Sequence, residues 1–340
     1  MRVAVYYNNR DVRVEEMPKP EISSDEILLR TMVCGICGSD VLEWYRVKSA
    51  PRVLGHEATG VIEEVGENVS GWRLGDRVFV SHHVPCGNCK YCLRGHETAC
   101  ETLHTTNFYP GGFSEFIRIP KINVEKGIYR LPPSLSFEEG TLIEPLACVV
   151  RGQRLAGVKG DGVILVLGSW PPGILHISLA KAKKIGKIIA TDISEYRLQA
   201  AKKFGADEVI DARENVPKVV REITGSGADW VIVCTGAEKA AAQAMESVER
   251  GGVILFFAVP PPGVGVSIPL ADFWRNEISV MTSYGAAPRD LVEALDLLSG
   301  RKVKVDGLIT HRFGLSEIQK AFSMVAAGEN CLKVVIEPQR

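Results

Sequence analysis

The sequence predicts an α/β protein with a β-rich domain followed by a doubly wound parallel sheet of the dinucleotide-binding kind. Three observations carry this expectation. A chain of 340 residues favours two cores over one. Residues 1–110 are rich in short β patterns broken by glycine. From about residue 160 the rhythm changes to strand and helix in alternation.

The elements follow in order. RVAVYY, EILLRTMV, TGVIEEVG and DRVFVSHH alternate or run apolar over strand lengths and end at turn signals, as in a partly open barrel. GVILVLG reads as a buried strand, followed by the helical stretch ILHISLAKAKKIG. KIIATDI, DEVID and WVIVCTG each lead into a helix, and GVILFFAV and ISVMTSY complete six strands. The tail holds the helix RDLVEALDLLSG, then LITHRF, a second helix SEIQKAFSMVAAG and a last strand, LKVVIEP. It is expected to pack back on the first domain, giving domains at 1–150 and 151–287 and a return over 288–340.

Composition narrows the function. Forty basic residues against 41 acidic ones leave a net charge of -1, which gives no electrostatic case for nucleic acid or a membrane surface. No apolar run reaches the roughly 18 residues of a membrane span. The start, MRVAVYYNNRDVRVEE, has no signal-peptide core, so the expected location is cytoplasmic. In a reducing compartment nine cysteines are ligands, core residues or nucleophiles before they are disulfides. Cys148, Cys234 and Cys331 stand in apolar contexts and read as buried small side chains. Cys34 and Cys37 form a C-x-x-C step, for which a redox pair is the weaker reading.

Two groups of residues have metal-ligand character. Cys86, Cys89, Cys92 and Cys100 place four thiols within fifteen residues, as a closed structural zinc site requires; disulfides or free thiols are the alternative. His82, His83 and His96 lie near enough to compete as ligands. Cys37, His56 and Glu57 form a mixed set that leaves a coordination position open for chemistry. The alternative there is a buried cysteine beside a surface His-Glu pair. Glycines at 35, 38, 55 and 60 bracket these ligands, as expected where backbone passes close to a metal. Glu144 is a carboxylate in the apolar segment LIEPLACVV and needs a partner. Ser39 offers a hydroxyl for proton transfer from a bound alcohol.

GHEATGVIEEVGENV, CGICGSD, HVPCGNCKYC, EPLA and LITHRF resemble the zinc-containing medium-chain dehydrogenases, nearest the sorbitol and threonine dehydrogenase branch. The likeness covers nearly the whole chain. It implies a GroES-like catalytic domain and a Rossmann domain. It further implies catalytic zinc on Cys37, His56 and Glu57, with Glu144 as ligand or holder of its water, and structural zinc on the four cysteines. A homotetramer or homodimer is also implied. The expected reaction transfers a hydride between an alcohol, polyol or amino alcohol and NAD, with zinc polarising the alcohol oxygen.

Two departures stand out. A histidine five residues beyond the zinc cysteine serves many relatives as a proton relay, and that position is Leu42 here. His83 stands where threonine dehydrogenase relatives carry a functional histidine; it is a substitute or a strand-end residue with a local hydrogen bond. The larger departure is the loop Gly168-Ser169-Trp170-Pro171-Pro172-Gly173, where G-x-G-x-x-G is expected. Trp170 replaces the glycine that lets backbone approach the pyrophosphate, and Pro172 has no N–H. The amides of Gly173 and Ile174 are the expected remaining donors. Asp192 is placed to bind the ribose 2′-hydroxyl and favour NAD, with Arg197 by the adenine. The rival function is a zinc-binding scaffold that has lost its cofactor. Trp44, Tyr45 and Arg46 line the pocket or belong to core or interface.

Overall fold

A computed structural model describes residues 1–328 and 330–340. The chain divides into two compact units. The first comprises Met1–Pro145, Ala286–Ser299 and Asp306–Arg340, and the second Leu146–Gly285 with Gly300–Val305. The return to the first unit is thus interrupted: the segment 300–305 groups with the second, as do residues 146–150.

In the first unit the strands Ile309–Gly314, Lys333–Glu337, Ile27–Gly35, Glu57–Val65, Arg77–Ser81 and Ile128–Arg130 lie in that order in one sheet, and Phe116–Ile119 also pairs with Ile27–Gly35. Ile27, Leu28 and Leu29 are wholly buried in succession, so this strand is covered on both faces. Its end sets the site. Gly35 is paired with Glu57 on one side and with Val335 on the other. The register therefore brings the C-terminal strand, opening at Lys333, to the edge of the Glu57 carboxylate.

In the second unit six parallel strands run in the order Glu208–Asp211, Lys187–Asp192, Val163–Leu167, Ala228–Val233, Val248–Phe256 and Ser279–Thr282. Ile164 to Leu167 are fully buried, as the middle of a doubly wound sheet requires. The strand order reverses about Val163–Leu167, and ligands of such sheets sit beyond the carboxyl ends at that switch. The following helix spans Pro171–Ala182 and starts earlier than its apolar pattern suggests, because both prolines fit its first turn. Backbone N–H groups there lack helical partners anyway.

Candidate metal centres and dinucleotide loop

The four-cysteine lobe builds its site from adjacent turns. Cys89 Sγ lies 3.6 Å from Cys92 Sγ, and Cys100 Sγ lies 3.6 Å from Cys86 Sγ. The amides of Cys86 and Cys89 donate to the Cys100 and Cys86 sulfurs at 3.4 and 3.3 Å. Burial opposes ionisation of Cys100, but the amides of Cys86 and Leu103 hold its pKa down at about 6. Burial pushes Cys92 up to about 12. Four sulfurs gathered this closely, with backbone donors aimed at them, suit a thiolate-bound zinc. None of the nine cysteines is in a disulfide. His82, His83 and His96 are not part of the cluster.

The second set comes from separate strands and turns. Ligand atoms of Cys37, His56 and Glu57 lie within 4.8 Å of one another. Cys37 precedes the short turn Gly38–Val41, and Asp40 Oδ2 accepts the Cys37 amide at 3.0 Å. Fully buried Asp40 also sets Oδ1 3.4 Å from His56 Nδ1, so the other ring nitrogen can face a metal. Burial raises the Asp40 carboxyl, yet His56, Arg46 and the Cys37 amide hold it below its ordinary value. His56 is disfavoured as a cation by burial but raised well above the usual imidazole range by Asp40 and Cys37.

Glu57 is wholly buried and ion-paired through Oε2 with Lys333. Neither carboxylate oxygen accepts a hydrogen bond of normal geometry. Burial favours neutral Lys333, whereas Glu57 and then Cys37 keep it charged. Its Nζ also donates to the Ile36 carbonyl at 2.9 Å. A thiol, an imidazole and a buried carboxylate whose ligand atoms converge in this way make a fitting zinc set. Glu144 is not among the clustered ligand atoms; it lies in the first turn of the helix Ile143–Leu155, close enough to act on Lys333.

The bracketing glycines divide by cause. A Cβ at Gly35 would lie 2.0 Å from Glu57 Oε2, so this residue makes room for the carboxylate. Gly55 has φ +90°, which favours glycine. A Cβ at Gly60 would instead meet the Arg30 carbonyl at 2.2 Å, on the neighbouring strand, and Gly38 faces open space. Only the first of the four answers to a ligand's own atoms.

Around this set Arg46 is a fork. Its Nε donates to the Ser39 carbonyl at 2.9 Å, and its Nη2 to Ser39 Oγ at 3.0 Å and Asp40 Oδ1 at 3.3 Å. Leu42 is exposed. The rings of His56, His82 and His83 form a ladder with centroid spacings of 4.8 and 3.7 Å. Burial, then His56, pushes His83 down to about 4, leaving a neutral ring at pH 7. Arg46 was one of the residues expected to line the pocket or to belong to core or interface, whereas Asp40 and Lys333 were not legible as site residues; a lysine within the apolar run LKVVI was the available signal.

In the second unit the dinucleotide loop follows Val163–Leu167. Gly168 has φ +96°, and a Cβ at Gly173 would lie 1.9 Å from the Gly168 carbonyl oxygen, so the turn itself demands both. The Ser169 amide donates to Asp192 Oδ2 at 2.9 Å. Arg197 Nε donates to Asp192 Oδ1 at 2.9 Å, with the guanidinium 4.9 Å above the Trp170 ring. The Ile174 amide, expected as a phosphate donor, bonds the Trp170 carbonyl at 2.9 Å as the first helical turn closes.

Comparison with known proteins bears on the family and the fold. Residues 23–132 match the alcohol dehydrogenase GroES-like domain model, and 171–300 match the zinc-binding dehydrogenase model. The sorbitol dehydrogenase of Bacillus subtilis strain 168 is 32% identical, over 100% of this chain and 98% of its own length. The solved 2R,3R-butanediol dehydrogenase from Bacillus subtilis is 27% identical with a TM-score of 0.87, covering 99% of each chain. An alcohol dehydrogenase from E. coli CFT073 complexed with NADH is 26% identical with a TM-score of 0.87, again over 99% of each. The cofactor-free scaffold reading finds no support among these relatives.

Proposed function

Because this chain belongs to the zinc-binding medium-chain alcohol and polyol dehydrogenases, we propose that it interconverts a polyol, secondary alcohol or amino alcohol with its carbonyl form, using NAD. The observation that carries the reading is the convergence of Cys37, His56 and Glu57 on one point, with Asp40 behind His56 and Lys333 behind Glu57. Zinc held there supplies Lewis-acid polarisation of a substrate oxygen, and NAD supplies the hydride acceptor.

The chain's own residues do the rest. Asp40 orients the His56 ring and Lys333 balances the Glu57 charge. Ser39 Oγ accepts from Arg46 with one lone pair and keeps a second, so it can take the proton of a bound alcohol while passing on its own. Leu42 carries no proton, and His83, kept neutral, passes one on without holding it. Glu144 acts from the start of its helix, on Lys333 or through a water. In the second unit Asp192 binds the ribose 2′-hydroxyl and selects NAD over NADP, Arg197 lies by the adenine, and Gly168, Ser169, Gly173 and Ile174 shape the phosphate end. The four cysteines hold a second zinc that staples their lobe.

The working form is a cytoplasmic homodimer or homotetramer. Leu270 and Trp274 are 72% and 82% exposed on the helix Leu270–Arg275, and large apolar side chains left open in this way favour burial against a second copy. A panel of polyols, secondary alcohols and amino alcohols with zinc-loaded protein tests the reading. NADH formation from at least one of them is expected, and its absence across all three classes defeats the proposal.

A further inference from the structure

Two of the three glycine positions in the dinucleotide loop serve the loop itself. Gly168 takes a backbone conformation open mainly to glycine, and Gly173 has no room for a Cβ against the Gly168 carbonyl. The middle position is the one whose missing side chain serves the ligand, by letting backbone approach the pyrophosphate. Here it carries the largest side chain available, Trp170.

The amides tell the same story. Gly168 donates to the Thr191 carbonyl at 3.0 Å, Ser169 to Asp192 at 2.9 Å and Ile174 to the Trp170 carbonyl at 2.9 Å. Positions 171 and 172 are proline and have no N–H. From Gly168 to Ile174, only the amides of Trp170 and Gly173 remain for a phosphate. The indole is not loose either. Arg197 stacks on it at 4.9 Å and is anchored to Asp192 Oδ1, which also accepts the Ser194 amide at 2.9 Å. A carboxylate offers about four lone-pair sites, so Asp192 keeps a vacancy on Oδ2 alone, enough for one ribose hydroxyl.

We propose that Trp170 occupies the pyrophosphate subsite and sets the affinity for the dinucleotide, so that this chain grips NAD by its ends and only weakly by its middle. This deepens the NAD reading above and rests on it. The site discriminates by what a ligand carries between its two nucleosides: adenosine has nothing there, whereas NAD and ADP-ribose must pass the indole.

Calorimetry on zinc-loaded protein tests this with NAD and ADP-ribose as titrants and adenosine in competition. Trp170→Gly and Trp170→Ala are expected to bind NAD and ADP-ribose about tenfold more tightly, the scale of one regained charge-assisted hydrogen bond. Adenosine affinity should not rise, since adenosine carries no phosphate and meets the indole only through the stacked Arg197. Equal or weaker NAD binding by both variants, or an equal gain for adenosine, overturns the proposal. Melting curves identify a variant that has lost its fold. Should both fail, ADP-ribose quenching is compared between the parent protein and Trp170→Phe. Loss of the quench in Trp170→Phe is expected, and an identical quench overturns the proposal. Binding is read here without turnover, so failure of this inference is distinct from failure to find a substrate.

Discussion

The two metal-ligand sets of the first unit are built on opposite plans. The four sulfurs come from neighbouring turns, and most of their hydrogen-bond support is backbone amide from the same lobe. Cys37, His56 and Glu57 instead depend on charges brought from elsewhere: Asp40 and Arg46 on a nearby turn, and Lys333 on the C-terminal strand. A local set needs only its own thiolates to close round zinc. An assembled set with an open position carries buried charge whose balance must come from the fold. The difference separates a site that supports structure from one whose structure supports chemistry.

The largest effect is expected where the plan is local. Replacing one ligand, as in Cys89→Ser, removes a zinc whose binding is worth roughly 10 kcal/mol or more in small zinc modules. Hydrogen exchange should show the segment 86–105 unprotected while the rest of the unit keeps its protection. Unchanged exchange would mean that the lobe does not depend on its metal.

Next comes the counter-charge of the assembled set. Lys333→Met leaves the wholly buried Glu57 without its partner, a loss of about 3–5 kcal/mol by analogy with other broken buried pairs. Zinc on Glu57 offsets part of that loss. Thermal melting should therefore fall further for the variant after chelation than before it, and an equal fall in both states would separate Glu57 from the metal.

Smaller still is the fork at Arg46. Arg46→Lys retains charge but cannot reach Ser39 Oγ and Asp40 in the same planar geometry. A loss of about tenfold in kcat/KM is expected, the usual scale for groups that orient metal ligands. The melting temperature should change little. A variant with full activity would remove Arg46 from the machinery.

The last effect, absent at neutral pH, lies in the second unit and serves as a contrast to both metal sets. His176 is fully buried, and burial lowers it to about 3, so it folds as the neutral ring. Below its ordinary value near 6.5 the unfolded chain takes up a proton that the folded chain refuses. Stability present above pH 6.5 is lost as pH falls toward 3, at about 1.4 kcal/mol per pH unit. His176→Leu should flatten the acid limb of the melting curve; an unchanged slope would assign acid sensitivity to other groups.

The same division explains what the sequence could disclose. The four cysteines are legible because all their spacing lies within one short run, and the six strands because a doubly wound sheet buries continuous apolar segments such as Ile164 to Leu167. Lys333 is not legible, since only the pairing of Gly35 with both Glu57 and Val335 brings it to the site. Gly60 was assigned to the metal although its space is taken by the Arg30 carbonyl on the adjacent strand. The helical stretch was read from Ile174, yet the first turn begins earlier and accepts both Pro171 and Pro172. Ile174 was counted as a phosphate donor because the position of the first helical turn was placed too late.

The central claim is that the assembled set holds the zinc on which hydride transfer depends, apart from the zinc of the cysteine lobe. Metal content and NADH formation measured together on Cys37→Ser test it most directly. The account predicts one zinc per chain where the parent holds two, with activity down by about a thousandfold or more and the cysteine lobe still protected from exchange. Two zinc ions per chain in Cys37→Ser, or alcohol-dependent NADH formation close to the parent rate, would contradict it.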